Sequence, residues 1–250
     1  VANAISPIVK SHDKVLLAAV YLSTLLDNNK YAIRNLPRGS DEVKLLMDFL
    51  VENQYDVSKV ASIVSNDEFG NSSNKDFKGL LKDYESTIVY EGIIPDALGI
   101  KSEVSKLIKL NPNVVFIASL QPHLGTVVKE LRVQGFKGEI ITTDAFAFPY
   151  IYQAAGEYAK NTIYVDFPTT AKSEKFAEEY KLKFNSDLIP TAILCYDGLS
   201  IVLDNISQTN GNGLQNLFES LEQKTYDGIY GKIKISGREI IYPQEVKIWP

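Results

Sequence analysis

The run GEIITTDAFAFP, residues 138–149, carries an apolar stretch of strand-forming residues into a carboxylate, Asp144, with Phe146, Phe148 and a proline just behind it. A plain turn would place Gly or Asn at such a point. A carboxylate beside aromatics instead suits a ligand that offers a donor or a positive charge under apolar cover. Two more apolar runs end in comparable fashion. KVASIVS (Lys59–Ser65) passes into Asn66, Asp67, Glu68, Phe69 and Gly70, and NVVFIAS (residues 113–119) passes into Leu120, Gln121 and Pro122. The three ends together offer an acid, amides, hydroxyls and apolar walls from Phe69, Leu120 and Phe146, the profile of a small-molecule pocket. Asp144 has a competing role, as the cap of the helix that follows it.

Signals for catalysis are missing. There is no G-x-S-x-G elbow, no P-loop and no G-x-G-x-x-G after a strand, and no pair of acids stands out. Residues 66–70 lack the spacing of a calcium loop. One cysteine, Cys195, cannot form a disulfide within the chain, and with two histidines, His12 and His123, a Cys/His zinc site is not expected. No metal or cofactor is therefore expected. Cys195 lies in an apolar helical stretch and is expected to be inert packing, while Tyr196 and Asp197 in the same stretch are expected to join elements. Net charge is −5, the wrong sign for a phosphate-binding surface, so nucleic acid is not an expected partner. No apolar run reaches the ~18 residues of a membrane helix. The opening residues VANA have neither the basic start nor the apolar core of a signal peptide.

The elements that must position these residues follow from periodicity. Residues 59–65, 87–94, 113–119, 140–143 and 162–167 are predicted strands, alternating with helices over residues 74–84, from Ser102 onward, and over 122–134. Upstream, residues 14–20 and 31–36 are predicted strands, and Ser40 is expected to cap a helix bearing Val43, Leu46, Met47 and Leu50. Downstream, residues 173–185, 191–209 and 214–221 are predicted helices, and GKIKI, a Ser236-Gly237 turn and EIIY form a hairpin. Such alternation predicts an α/β chain with parallel sheets flanked by helices. In parallel sheets ligands sit beyond the carboxyl ends of the strands, which would bring the three run ends to one edge. Two lobes are expected: residues 1–36 with 167–227, and residues 37–166 with 228–250.

Several stretches make the chain resemble the type I periplasmic solute-binding proteins, the branch of the leucine/isoleucine/valine-binding proteins and related amino-acid or amide receptors. They are YAIRNLPRGSDEVKLLMDFLVE, KVASIVSNDEFGNSSNKDFKGLL, NPNVVFIASLQPHLGTVVKELRVQGF, IPTAILCYDGLSIVLDNI, and TYDGIYGKIKIS with its paired Gly228 and Gly231. The resemblance covers nearly the whole chain but begins partway into the family pattern, so it implies an N-terminally truncated match with an incomplete first lobe. It implies two Rossmann-like lobes that close by a hinge on a small ligand, an amino acid of the branched-chain kind or a similar polar molecule. It also implies no enzymatic activity, delivery to the membrane permease of an ABC transporter, and a periplasmic or extracellular location. A ligand-sensing domain of the same fold is the alternative reading, and an enzyme on the same frame a further one. By position, the resemblance places Ser23 and Thr24 on the ligand carboxylate, Phe69 and Leu120 as ligand cover, Asp144 on the ligand ammonium and Thr191 at the rim.

Overall fold

Apolar runs long enough to be buried on both faces become strands, and amphipathic stretches between them become the helices that cover those faces. The computed structural model describes residues 2–21, 25–94, 99–208, 221 and 224–250. The first elements are α1 (Ala2–Ser11), β1 (Leu16–Ala18), α2 (Leu25–Asn28), β2 (Ala32–Arg34) and α3 (Gly39–Glu52). Then come β3 (Lys59–Ser65), α4 (Glu68–Leu80), β4 (Thr87–Ile94), α5 (Ile100–Ile108), β5 (Val114–Ala118), α6 (His123–Val133) and β6 (Glu139–Thr142). A 3-10 turn (Asp144–Ala147) leads to α7 (Pro149–Ala155), β7 (Thr162–Asp166), α8 (Ala171–Phe184) and α9 (Pro190–Gln208). Last are β8 (Thr225–Asp227), β9 (Lys232–Ser236), β10 (Glu239–Ile241) and β11 (Glu245–Ile248). Among the described residues no helix is long and apolar enough to cross a membrane.

The chain divides into two compact units, one of Val1–Arg38 and Phe167–Pro243, the other of Gly39–Asp166 and Gln244–Pro250. The second unit holds a six-stranded sheet in the order β11-β7-β6-β5-β3-β4. Its strands are parallel except β11, which runs antiparallel to β7 along the edge. All five residues of β5 are buried, as two covered faces require. Val104, Leu107, Val127, Leu131 and Ile151 from α5, α6 and α7 close one face of that sheet.

The first unit holds a mixed sheet in the order β1-β2-β10-β9-β8. Its core gathers Ile33, Phe167, Ile193, Leu194, Ile201, Ile233 and Ile240. The expectation that residues 228–250 join residues 37–166 needs correction here. β9 pairs with β8 and β10 with β2, so residues up to Pro243 fall in the first unit, and only β11 crosses to the second. The physical reason is an ion pair: β10 meets β2 at Glu239↔Arg34, and the Glu239 carboxylate takes the guanidinium of the buried Arg34. The flanking segments are accordingly more than the helix-dominated lobe the periodicity suggests.

Four helix starts also differ from expectation. Ser40, expected as a cap, is the second residue of α3, which begins at Gly39. The helix predicted over 74–84 begins at Glu68, because Asp67 caps it by accepting the Gly70 N–H at 2.8 Å, and its last residues tighten into a 3-10 turn. Ser102 lies inside α5, whose N-cap position is Gly99. The helix predicted from residue 173 begins at Ala171, with Thr170 as its cap and Ser173 reciprocating in a capping box at 3.0 and 2.9 Å. The helix expected over 214–221 lies outside the described residues except at Leu221.

Candidate functional site

Register brings the carboxyl ends of the second unit's strands level with one another. Val64 of β3 pairs Ala118 of β5, Ile117 of β5 pairs Thr142 of β6, and Thr142 pairs Tyr164 of β7. Ser65, Ser119 and Thr143 therefore leave the sheet side by side, and the chain after each one builds the same edge.

At the first end α4 sits almost on the strand. A β-carbon on Gly70 would lie 2.2 Å from the Ser65 carbonyl oxygen, so only glycine permits this approach. Phe69, one residue earlier, is 9% exposed and packed in place. Ser65 Oγ is buried with no hydrogen-bond partner among the described residues. Gly70→Ala is expected to push α4 off the strand end and cost about 1–3 kcal/mol by overpacking. Denaturation followed by fluorescence of Trp249, the chain's single tryptophan, measures it. An unchanged midpoint would show that α4 does not depend on this close contact.

At the second end Ser119 Oγ accepts the Gln121 N–H at 3.0 Å, and the half-buried Leu120 packs on the core while its carbonyl accepts the Tyr150 hydroxyl at 3.2 Å. At the third, Thr143 is the cap: its hydroxyl accepts the Ala145 N–H at 3.4 Å and starts the 3-10 turn. That leaves Asp144 with no capping duty in this turn, against the competing expectation. Asp144 is only 3% exposed. The 3-10 turn that Asp144 begins lies against α3. There Glu42, fully buried, accepts the Asp144 N–H on Oε2 at a long 3.4 Å and the Gln244 amide on Oε1 at 3.0 Å. Burial, and then the neighbouring Asp144 carboxylate, push Glu42 well above the usual carboxylate range, while the Gln244 and Asp144 N–H hydrogen bonds act the other way.

Phe146, expected as a wall, is wholly buried instead. It packs on Tyr164 at 5.5 Å and edge-on to Trp249 at 5.6 Å, so β7 and the residue after β11 claim it for the core. Ser23 and Thr24 lie outside the described residues. Thr191 is the second residue of α9, half-buried, in the first unit. The structure thus gathers Phe69, Leu120 and Asp144 at one strand edge of the second unit. It adds Glu42 and Gln244, which the sequence reasoning missed, to the strand-end Ser65. A signal for Glu42 was present: it falls on the apolar stripe of α3 with Val43, Leu46, Met47 and Leu50, where an acid is out of place.

Two further motifs find structural duties. Asp197 accepts the Ile229 N–H at 2.9 Å, and a β-carbon on Gly228 would meet its Oδ2 at 2.7 Å and the Ile233 side chain at 2.2 Å. Gly231 has φ +124, where side chains are strained, so the paired glycines shape the turn that Asp197 ties to α9. Cys195, expected as packing, is exposed on α9. An open depression of about 510 Å³ lies at the amino ends of β6 and β7, lined by Tyr55, Arg132, Glu139 and Lys160 among others. Its Arg132 is already committed to the Phe136 and Gly138 carbonyls at 3.0 and 2.8 Å. The chemistry assembled at the carboxyl ends has no counterpart there.

Comparison with known proteins gives a consistent picture. A family model described as periplasmic binding protein matches residues 1–240. A Leu/Ile/Val-binding protein homolog of Brucella abortus is 20% identical over 190 residues, 75% of this chain and 51% of that protein. The chain therefore spans about half the length of the curated relatives it matches. A leucine binding protein of Thermotoga maritima superposes with a TM-score of 0.85 at 17% identity, covering 99% of this chain and 73% of its own. A solute binding protein of an ABC transporter from R. palustris, in complex with 4-hydroxybenzoate, superposes with a TM-score of 0.85 at 16% identity, over 100% of this chain and 71% of its own.

Proposed function

Because the chain belongs to the periplasmic binding protein family, with that family's type I fold, we propose that it captures an amino acid of the branched-chain kind and delivers it to the membrane permease of an ABC importer. The observation that carries this reading is Asp144, a buried acid that leaves the cap of its turn to Thr143 and stands at the same strand edge as Phe69 and Leu120. A ligand ammonium there forms a charge-assisted hydrogen bond in a place largely closed to water. The protein works extracytoplasmically and as a binder without catalysis, a reading supported by the match to a periplasmic binding protein family model.

Similar folds take different solutes: one neighbour is named for leucine and another holds 4-hydroxybenzoate. The acids at this edge favour the first class. An ammonium is drawn to Asp144, whereas the carboxylate of an aromatic acid is repelled by it. Calorimetric titration with L-leucine, L-isoleucine, a small aliphatic amide and 4-hydroxybenzoate tests the reading. Saturable binding of leucine or isoleucine is the expected result. Binding of 4-hydroxybenzoate alone overturns it.

A further inference from the structure

A helix on the outside of a domain buries one face and turns a polar face to water. α9 departs from that rule. Its core face carries Ile193, Leu194, Ile201 and Val202, all buried. On the opposite face Tyr196, Leu199, Leu203 and Ile206 stand 55%, 51%, 54% and 40% exposed. They follow one another at three, four and three residues, the spacing of a seam that pairs with another helix. Neither charged residue of α9 lies on that seam. Asp197 faces the core and accepts the Ile229 N–H at 2.9 Å, and Asp204 falls well round the helix from it. The apolar surface also runs on past the helix. The Tyr196 ring meets Phe176 of α8 edge-on at 5.2 Å, and Tyr180 and the exposed Phe184 continue the file.

We propose that this face of α9 docks a second copy of the chain, the two α9 helices running antiparallel about a two-fold axis level with Ile201. The spacing itself selects that occupant. The seam is symmetric about residue 201: on reversal Tyr196 falls on Ile206, and Leu199 on Leu203. A two-fold interface requires a patch that complements itself in this way, whereas an unrelated partner imposes no such symmetry. Charge agrees with the arrangement. With Asp197 and Asp204 off the seam, the two copies bring no like charges together along it. Size agrees with a weak dimer. Four large side chains at about half exposure offer roughly 400 Å² per copy and roughly 800 Å² for the pair. The aromatic file on α8 extends this toward the ~1,200 Å² at which stable interfaces begin. The surface belongs to the first unit, and the inference does not rest on the solute reading.

Sedimentation equilibrium of the whole chain, from low micromolar to several hundred micromolar, tests it. A dimer is expected to form above roughly 10 µM, as suits an interface at the small end of the range. Leu199→Lys and Leu203→Glu are each expected to weaken it by at least about tenfold, because each puts two unpaired charges into the seam. Mixed in equal amounts, the two variants are expected to recover the dimer. In the antiparallel register position 199 of one copy faces position 203 of the other, so the lysine meets the glutamate. Both leucines are exposed, so unchanged thermal unfolding is expected of each variant. The exposed Cys195 gives a second reading that needs no substitution. It falls level with Ser207 of the second copy, twelve residues along the helix. Nitroxides on the two cysteines are therefore expected about 20 Å apart, from about 18 Å along the axes and about 9 Å between them. A chain that stays monomeric throughout overturns the proposal and leaves the face to a partner of another kind. A dimer that survives both single changes, a mixture no more dimeric than its components, or labels held at more than twice the expected distance overturns it as well, and places the contact elsewhere.

Discussion

Asp144→Asn is expected to weaken L-leucine binding by about 10-fold to 100-fold, the loss of one charge-assisted hydrogen bond of about 1.5–3 kcal/mol. Asparagine keeps the shape and removes the charge. The fold should survive, because the 3-10 turn is capped by Thr143 and not by Asp144. Glu42 should not step in for the missing charge. The substitution relieves it of its acidic neighbour, but burial, the larger cause of its raised pKa, stays. A ligand that presents only a carboxylate should respond with the opposite sign and bind the variant more tightly. Calorimetric titration of both proteins with leucine and with 4-hydroxybenzoate measures both signs at once. Equal leucine affinity in the two proteins would remove Asp144 from the ligand.

The largest effect on stability is expected in the other unit. Glu239→Gln should cost about 3–5 kcal/mol, because it removes the negative charge paired with a buried guanidinium. Arg34 is 1% exposed and pairs with the Glu239 carboxylate, which also accepts Arg38 Nε at 2.7 Å. The same pair marks the one register contact between β10 and β2, so the loss falls where backbone pairing is shortest. An apolar double replacement, Arg34→Met with Glu239→Leu, should cost far less than the single change, since it removes both charges from the interior. Urea denaturation with hydrogen exchange of the β2 and β10 amides follows the affected unit. Trp249, which packs in the second unit on Phe146, serves as an internal control. A loss below about 1 kcal/mol, the range of an exposed pair, would show that the bridge is solvated.

The β-strands of the second unit were legible because burial on both faces leaves unbroken apolar runs, and a run needs no knowledge of its neighbours. Lys59–Ser65, buried along nearly its whole length, is a strand with the expected bounds, and the more exposed edge strand Thr87–Ile94 keeps its expected bounds too. Parallel strands also share a direction, so the grouping of their carboxyl ends, and with it the edge carrying Phe69, Leu120 and Asp144, followed from order along the chain alone.

What only the tertiary structure decided depends on pairs far apart in sequence. Thr143 and Asp144 are equally plausible caps until backbone geometry selects the first. Glu42 meets Asp144 across 102 residues of chain, and no local pattern encodes the meeting of two acids. Arg34 and Glu239 are 205 residues apart, yet their charge pairing settles which sheet receives β9 and β10. Periodicity records which face of an element is buried. It does not record what that face is buried against, and for charged groups the partner decides both the energy and the protonation state.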